Sequence, residues 1–341
     1  MTALYRQQRL AYLLGLGLLL ASALLALLGA SVGSTGFESV LRVWDDPLAL
    51  QIVQDIRLPR TLGAWLAGAL LGLAGAVAQG LFRNPLADPY LLGSASGASL
   101  GVALALVLFG VSPFAAQWLV RLGLTGAAFA GAVAAVLLTL LLARGVQHTL
   151  RLLLAGVIVG VVLGAMSSLI MMLAPEILQA MQAFMLGSTG FVGWSACMVM
   201  AVVWMLCLLL TWLLSSALDG LSLGEATAAS LGLPLPQVRA MLIGVLALAT
   251  GTAVAQTGMI AFVGLAAPHL VRSVVRTTHR NLIALSSLMG GVLLLAADTL
   301  ARGLLAPQEL PVGVLTAVLG GGYLLWLMNR SSRIASGSGL S

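Results

Sequence analysis

The chain has 341 residues, of which 60% are hydrophobic and only 8% are charged. A soluble domain carries about 25% charged residues, so this composition excludes an ordinary soluble fold. The formal net charge is +6, but the arginines that supply it lie singly or in pairs at the ends of apolar runs, which indicates membrane topology and argues against a nucleic-acid partner.

Apolar runs of about 20 residues recur along the whole length, and each is long enough to cross a bilayer. The sequence therefore predicts an all-α membrane protein with a single transmembrane domain over residues 1–341. The ten predicted spans lie at about 10–30, 60–81, 92–111, 119–142, 152–173, 191–214, 239–256, 257–274, 281–297 and 312–328. The first is long for the core of a signal peptide, so we expect an uncleaved span there.

Four more polar stretches lie between these spans. Residues 31–55 predict an outer loop with a short amphipathic helix, and residues 174–190 predict a loop with a short helix. Residues 215–238 form the longest soluble-looking segment, with a helical patch at 224–230, and we expect this segment on the cytoplasmic side. A further loop is expected from Asp298 to Pro311, after the ninth span.

The second span is rich in small residues, which are Gly63, Ala67, Gly68, Gly72, Gly75 and Ala76. Helices in lipid are held together by close packing, so these residues predict that neighbouring helices approach the second span closely. Pro85 and Pro89 follow it. Because proline fixes φ and removes a backbone donor, we expect the helix to end before them.

An even number of spans places both termini on one side of the membrane. That side then carries eleven arginines and the other side five, so the positive-inside rule assigns the termini to the cytoplasm. A four-residue sequence, Ala76–Gln79, recurs at Ala253–Gln256, five spans later and therefore upside down. Inverted repeats are common in transport proteins, although four small residues also recur by chance.

Residues that could perform chemistry are scarce. A P-loop needs a lysine to hold nucleotide phosphates, and the chain contains no lysine. Three histidines, His148, His269 and His279, are scattered near the basic side, and Cys197 and Cys207 lie on different faces of one span. We therefore expect no catalytic group, no metal site and no covalently bound cofactor, and any ATP is expected on a partner subunit.

Three arginines stand on the less positive side, beside spans. Arg57 and Arg60 flank Pro59, and Arg302 follows Asp298 by four residues. Such arginines either extend along the membrane surface or dock an acidic soluble partner, because guanidinium groups pair with carboxylates. Asp298 is also placed to pair with Arg302 within a helix.

The sequence RLPRTLGAWLAGALLGLAGAVAQGLFRNPLADPYLLGSASGASLG, which begins at Arg57, closely resembles the signature region of the FecCD family of permease subunits. The resemblance continues in LSLGEATAASLGLP, GMIAFVGLAAPHLVR, LLAADTLAR and ELPVGVLTAVLGG, and so covers most of the chain. Members of this family belong to type II ABC importers for heme, ferric siderophores and cobalamin.

The resemblance implies the type II ABC importer permease fold in a bacterial inner membrane. It also implies a homodimer with the pathway on its axis, two cytoplasmic ABC ATPase subunits that bind ATP, and a periplasmic substrate-binding protein.

The resemblance also implies roles for particular residues. Those that dock the binding protein are Arg57, Arg60 and Arg302. Those that couple to the ATPase are Leu223, Gly224, Glu225, Ala228, Leu231, Gly232, Leu233 and Arg239. Those that line the pathway are Met166, Ser167, Met171, Gly187 and Ser188. The family often has a second acidic residue after the glutamate of the coupling segment, where this chain has Ala226.

The fifth span carries no charge and offers methionine and serine side chains, which suits a large and mostly apolar chelate. The expected substrate is therefore heme, with a ferric siderophore or cobalamin as alternatives. The alternative from another class is an ion-coupled secondary transporter. It would need a buried acidic residue, and in the sequence Asp298 lies only at the edge of a span.

Overall fold

The computed structural model describes residues 2–33, 36–37, 47–109, 118–143 and 149–337, and most of these are helical. Two short strands, β1 (Val32–Gly33) and β2 (Gly36–Phe37), pair antiparallel. The helices are α1 (Thr2–Ser31), α2 (Pro47–Ile52), α3 (Leu58–Phe82), α4 (Ser94–Phe109), α5 (Trp118–Leu142), α6 (Thr149–Leu173), α7 (Leu178–Leu186), α8 (Trp194–Leu213), α9 (Ser215–Ser222), α10 (Glu225–Ser230), α11 (Leu235–Thr257), α12 (Val263–Val274), α13 (His279–Gly303) and α14 (Val312–Gly337). The all-α prediction is confirmed.

Seven helical stretches of the described residues are long and apolar enough to cross a membrane, and α4 and the first part of α14 are shorter apolar helices. Each of these nine coincides with one predicted span. The remaining predicted span, at about 257–274, corresponds to α12, which has 12 residues. At about 1.5 Å per residue α12 reaches about 18 Å, against about 30 Å of hydrocarbon, so the total of ten spans stays a prediction.

Helix α3 lies at the centre of the bundle, and 89% of its most apolar window is buried. A methyl group added at Gly68 would fall 2.2 Å from the carbonyl oxygen of Gly290 on α13. One added at Gly75 would fall 1.7 Å from the carbonyl oxygen of Gly264 on α12. The predicted close approach at small residues is therefore confirmed, and it fixes α12 and α13 directly against the α3 backbone.

Helices α4 and α5 form a second close pair, built in the same way. A methyl group added at Gly97 would fall 2.2 Å from the carbonyl oxygen of Gly131, and one added at Gly101 would fall 2.1 Å from that of Ala127. The small and polar start of α4 is thus used for contact with protein.

Helices α3 and α13 run antiparallel, so their ends meet in pairs. Arg60 at the start of α3 contacts Asp298 near the end of α13. At the opposite end, Gly80 of α3 lies against His279 at the start of α13. Helix α3 has 25 residues, so the two ends are about one bilayer thickness apart.

Two helical stretches extend further than the sequence predicts. Helix α13 continues to Gly303, so the loop expected from Asp298 is wrong in its first part. Asp298 and Arg302 stand four residues apart and pair on one face, which stabilises this last turn. Helix α2 lies in the stretch 31–55, where the sequence predicts an outer loop with a short helix, but it continues through a π-helical turn at Val53–Arg57 into α3.

Several predicted features lie outside the described residues. These are residues 34–35 and 38–46 of the expected outer loop, the end of the third predicted span at residues 110–111, and His148. The short helix expected within 174–190 is confirmed as α7, preceded by a 3-10 turn at Pro175–Ile177.

The two copies of the four-residue repeat lie in the two most buried spanning helices of the described residues, α3 at 89% and α11 at 72%. Each copy is followed by a left-handed residue that ends its helix. After α3 this is Arg83 with φ 50°, and after α11 it is Gly258 with φ 70°. The inversion of the repeat stays a prediction.

The outer helices present a different surface. In the spanning helices α1, α5, α6 and α8, between 17% and 28% of the most apolar 18-residue stretch is buried. Such broad apolar faces are covered by lipid or by other subunits in a membrane. Cys197 and Cys207 are buried free thiols on α8, as expected for packing residues.

Candidate functional site

Two groups of ion pairs lie at opposite ends of α3. The first, called here the Arg60 cluster, comprises Arg60, Thr189, Asp298, Arg302 and Glu309. The second, the Glu225 cluster, comprises Arg83, Glu225 and Arg239. The first contains two of the arginines predicted to dock a binding protein, and the second contains the charged residues predicted to couple to an ATPase.

Arg302 is almost fully enclosed, with 1% of its surface exposed. Its Nε donates to Oδ2 of Asp298 at 2.9 Å, and its Nη2 donates to the same oxygen and to Oγ1 of Thr61. Its Nη1 donates to the carbonyl oxygens of Gly29 at 2.8 Å and Val32 at 3.5 Å. All five N–H groups of this guanidinium are thus directed at oxygens of the chain, and Arg302 ties the end of α1 to α3 and α13.

Asp298 is fully buried and accepts hydrogen bonds at both oxygens. Oδ2 accepts from Arg302, and Oδ1 accepts from Nε and Nη2 of Arg60 at 3.4 and 3.3 Å and from the Thr189 hydroxyl. Asp298 lies near the end of its span, as the sequence indicates, but α13 continues for five residues past it and the carboxylate is enclosed by protein. Two arginines compensate its charge, which is what a buried carboxylate requires.

Arg60 bridges this buried carboxylate and an exposed one. Its Nη1 donates to the two carboxylate oxygens of Glu309 at 2.8 and 3.0 Å. The side chain of Arg60 is 11% exposed and that of Glu309 is 31% exposed. Arg60 is therefore the member of the cluster through which the buried network reaches the surface.

Arg57 lies close by, because its Nη1 donates to the carbonyl oxygen of Ser31, at the same end of α1 that Arg302 holds. Arg57 is 6% exposed. The three arginines predicted for docking thus lie in one region, as a joint role requires, but two of them are buried within the chain. Their docking role stays a prediction.

Thr189 and Glu309 belong to the Arg60 cluster and were not expected from the sequence. Both lie on irregular segments, and they are 109 and 249 residues away from the partners they contact. Neither helical nor strand periodicity marks such residues. The signal that could have pointed to Glu309 is its place in the ELPVG block of the family resemblance.

In the Glu225 cluster, one carboxylate joins the ends of two helices. Oε1 of Glu225 lies 2.6 Å from Nη2 of Arg239 on α11 and 3.5 Å from Nη2 of Arg83 after α3. Glu225 is 36% and Arg83 is 41% exposed, so water screens this group far more than the Arg60 cluster. Leu233 anchors the segment by packing against the main core.

Helix α10 projects from the Glu225 cluster between two glycine turns. Gly224 has φ 110° and Gly232 has φ 78°, conformations that favour glycine. Ala228 faces inward and is fully buried, whereas Leu223 and Leu231 are 65% and 63% exposed. The helix predicted at 224–230 is thus confirmed, and its flanks present an exposed apolar surface.

A further polar contact braces this end of the bundle. Oδ1 of Asp219 on α9 accepts the backbone N–H of His279 at 3.0 Å and lies 2.7 Å from its Nδ1. Next to it, the guanidinium of Arg280 lies 4.2 Å from the centroid of the Trp212 ring. These contacts hold α8 and α9 against the start of α13.

The five residues predicted to line the pathway fall into two groups. On α6, Met166 is 47% exposed, Ser167 is buried and donates to its own helix, and Met171 packs beside a core cluster. Gly187 and Ser188 lie between α7 and α8, where the Ser188 amide donates to the last residue of α11 at 2.8 Å. A common lining formed by the two groups stays a prediction.

Two irregular segments, residues 83–93 and 187–193, each contact a third, residues 258–262. The Tyr90 hydroxyl donates to the carbonyl oxygen of Ile260 at 3.1 Å. A methyl group added at Gly187 would fall 2.5 Å from the carbonyl oxygen of Met259. Irregular backbone within a membrane protein is tolerated where it is buried in protein or lines a cavity, and broken helices are common at transport sites.

Within the described residues, no group of three or more His, Cys, Asp or Glu side chains is placed to hold a metal ion.

Comparison with known sequences gives one family. Residues 18–330 match the FecCD transport family. The hemin transport system permease protein HmuU of Yersinia pestis is 39% identical over 327 residues, 94% of this chain and 96% of that protein. The vitamin B12 import system permease protein BtuC of Salmonella typhimurium is 41% identical over 287 residues, 82% of this chain and 84% of that protein.

Comparison with solved structures agrees. A transporter described as metal-chelate type, of the ABC class and in an inward-facing conformation, superimposes with a TM-score of 0.83 at 31% identity, over 93% of this chain and 98% of that one. A chain of PsaBC from Streptococcus pneumoniae superimposes with a TM-score of 0.59 at 18% identity, over 84% of this chain and 94% of that one. The latter likeness is one of fold alone.

Proposed function

Because this chain belongs to the FecCD transport family and is a permease of the ABC importer type, we propose that the substrate it carries is heme. The observation that carries this choice is the extent of the match: the hemin permease matches 94% of the chain and the vitamin B12 permease 82%. Helix α6 supports the choice, since after Arg151 it contains no charged residue and offers polarizable methionines. Such a wall suits a flat apolar chelate that is passed on without tight binding.

Separate ATPase subunits supply the energy in this proposal. The chain has no lysine with which to build a P-loop, so it does not itself bind ATP through such a loop. ATP binding to the partners can do no more than stabilise one arrangement of the helices over another. The permease is then a conduit whose state its partners set.

Helix α10 is the part of the chain proposed to receive that signal. Leu223 and Leu231 would enter a cleft on the ATPase, because their exposed side chains gain burial there. Glu225 then passes the displacement on to Arg239 at the start of α11 and to Arg83 at the end of α3. Both of these helices are central to the bundle.

The Arg60 cluster is proposed as the surface that docks the binding protein. A partly exposed guanidinium beside buried arginines attracts acidic side chains, and Arg makes two-pronged pairs with carboxylates. The opposite ends of α3 then serve opposite compartments. The chain is a multi-pass inner-membrane protein, and in this orientation the Glu225 cluster and both termini lie in the cytoplasm.

Two copies of the chain form the pathway between them in this proposal. The outer face of α6 is apolar, and a second copy would cover part of it and leave the rest to lipid. Residues 258–262, which contact both of the other irregular segments, 83–93 and 187–193, are the best candidate for a moving gate.

Uptake into proteoliposomes tests the substrate. The chain is reconstituted with its ATPase subunits and its binding protein, and entry of heme, a ferric siderophore and cobalamin is measured with and without ATP. We expect ATP-dependent uptake of heme and competition by unlabelled heme. Uptake of cobalamin or a siderophore without uptake of heme would contradict the heme proposal and leave the permease function standing.

A further inference from the structure

Glu309 occupies the exposed side of Arg60. Its two oxygens lie 2.8 and 3.0 Å from Nη1 of Arg60, and its side chain is 31% exposed. On the inner side, Asp298 holds Nε and Nη2 of the same guanidinium and is fully buried. An acidic partner that approached Arg60 would therefore meet a carboxylate already in place.

Arg302 has no comparable side to offer. All five of its N–H groups are directed at oxygens of the chain, and it is 1% exposed. To reach a partner it would have to leave Asp298 buried without its closest cation, which is strongly unfavourable. Within this cluster, only the partly exposed pair of Arg60 with Glu309 can exchange partners at a small cost in free energy.

We propose that Glu309 is an internal stand-in for an acidic side chain of the binding protein. Glu309 holds Arg60 in the free chain, and the partner's carboxylate displaces it on docking. Arg60 keeps Asp298 throughout, and Arg302 acts as a positioning residue that holds Asp298 and thereby the direction of Arg60. This inference rests on the proposed docking function of the Arg60 cluster.

Displacement of Glu309 would be felt by the segment that leads into α14. Residues 303–309 are exposed, and the segment is tied back by the Leu310 amide, which donates to the carbonyl oxygen of Ala301 at 3.1 Å. At the start of α14, a methyl group added at Gly313 would fall 2.8 Å from the carbonyl oxygen of Met259. The segment thus leads into a helix whose first turn contacts the irregular segment 258–262.

Binding of the purified substrate-binding protein of this transporter, to the permease and ATPase complex in lipid nanodiscs, tests the proposal. Glu309→Gln keeps the size of the side chain and removes its charge. We expect it to tighten binding about three- to fivefold, the upper range for a partly exposed ion pair. The matched control is Glu176→Gln, which removes an exposed glutamate from the turn before α7 and leaves the affinity unchanged.

Arg60→Gln separates this inference from the docking function. We expect it to weaken binding at least fivefold, and Glu309→Gln to have no further effect in that background. If Arg60→Gln leaves the affinity unchanged, the docking function fails. If Arg60→Gln weakens binding, two results would overturn the stand-in while docking stands. In one, Glu309→Gln changes the affinity no more than Glu176→Gln does. In the other, Glu309→Gln changes the affinity equally whether or not Arg60 is present.

A second measurement follows the segment itself. A spin label at Gln308→Cys reports the mobility of the exposed segment beside Glu309. We expect its mobility to rise when the binding protein docks and to be raised beforehand by Glu309→Gln. A spectrum that docking leaves unchanged would contradict displacement.

Discussion

The two ends of α3 are both charged, yet they are built in opposite ways. In the Arg60 cluster, Asp298 has no exposed surface and all five N–H groups of Arg302 donate to oxygens of the chain. In the Glu225 cluster, the shared carboxylate is 36% exposed and holds a short helix that stands between two glycine turns. One end is a brace that fixes α1, α3 and α13 together, and the other is a partly exposed group of ion pairs that holds α10.

In the coupling proposed above, this difference would let the Glu225 end move with a partner while the Arg60 end keeps its shape. A buried, fully bonded charge resists displacement because removing one partner leaves an uncompensated ion. A screened pair near the surface contributes little to stability and gives way to a competing surface. Two residues depart from the pattern: Glu309 is an exposed carboxylate in the buried cluster, and Arg239 is a buried arginine in the exposed one.

Removing the centre of the brace has the largest expected effect. Asp298→Ala leaves two arginines without their buried carboxylate, and we expect a loss of about 3–5 kcal/mol in the free energy of unfolding. Unfolding of the purified chain in mild detergent measures it. Glu309→Gln, which removes the exposed carboxylate of the same cluster, is expected to cost less than about 1 kcal/mol. Equal losses for the two variants would remove the contrast between brace and screened pair.

The helix contacts between the two ends come next. Gly75→Ala forces a methyl group against the carbonyl oxygen of Gly264, 1.7 Å away, and overpacking of this kind costs about 1–3 kcal/mol. The matched control is Gly244→Ala on the exposed side of α11, where nothing lies within 4 Å. Alanine favours a helix over glycine by about 1 kcal/mol, so the control is expected to be neutral or stabilising. A control that destabilises as much as Gly75→Ala would contradict the packing argument.

The proposed contact of α10 with the ATPase is tested by a variant with a smaller expected effect. Leu231→Ser removes an exposed apolar side chain that the proposal buries in the ATPase, and we expect about tenfold weaker ATPase association. The stability of the chain alone should not change. Leu305→Ser, at a leucine that is 55% exposed at the opposite end, serves as the control and should leave ATPase affinity unaltered. A loss of chain stability in Leu231→Ser would show a structural role.

The sequence was informative wherever the physics is local. Apolar runs located the helices, and the glycines of α3 predicted that neighbouring helices pack closely against it. The four-residue spacing of Asp298 and Arg302 predicted their ion pair. The helical patch expected at residues 224–230 corresponds to α10.

What the sequence could not supply depends on residues far apart along the chain. The bond between Arg60 and Asp298 joins positions 238 residues apart, and Glu309 lies on an irregular segment without periodicity. The burial of Asp298 follows from this pairing and not from its neighbours in sequence. For the same reason hydropathy extended one apolar run through residues 257–262, where the structure breaks the helix with Gly258 and Phe262 at positive φ.

Cross-linking of the assembled transporter tests the two-ended account most directly. A photo-reactive amino acid is placed at Leu231 in one sample and at Leu305 in another, with ATPase subunits and binding protein present in both. The account predicts that the probe at Leu231 captures the ATPase and that the probe at Leu305 captures the binding protein. Capture of the binding protein from Leu231, or of the same partner from both positions, would contradict it.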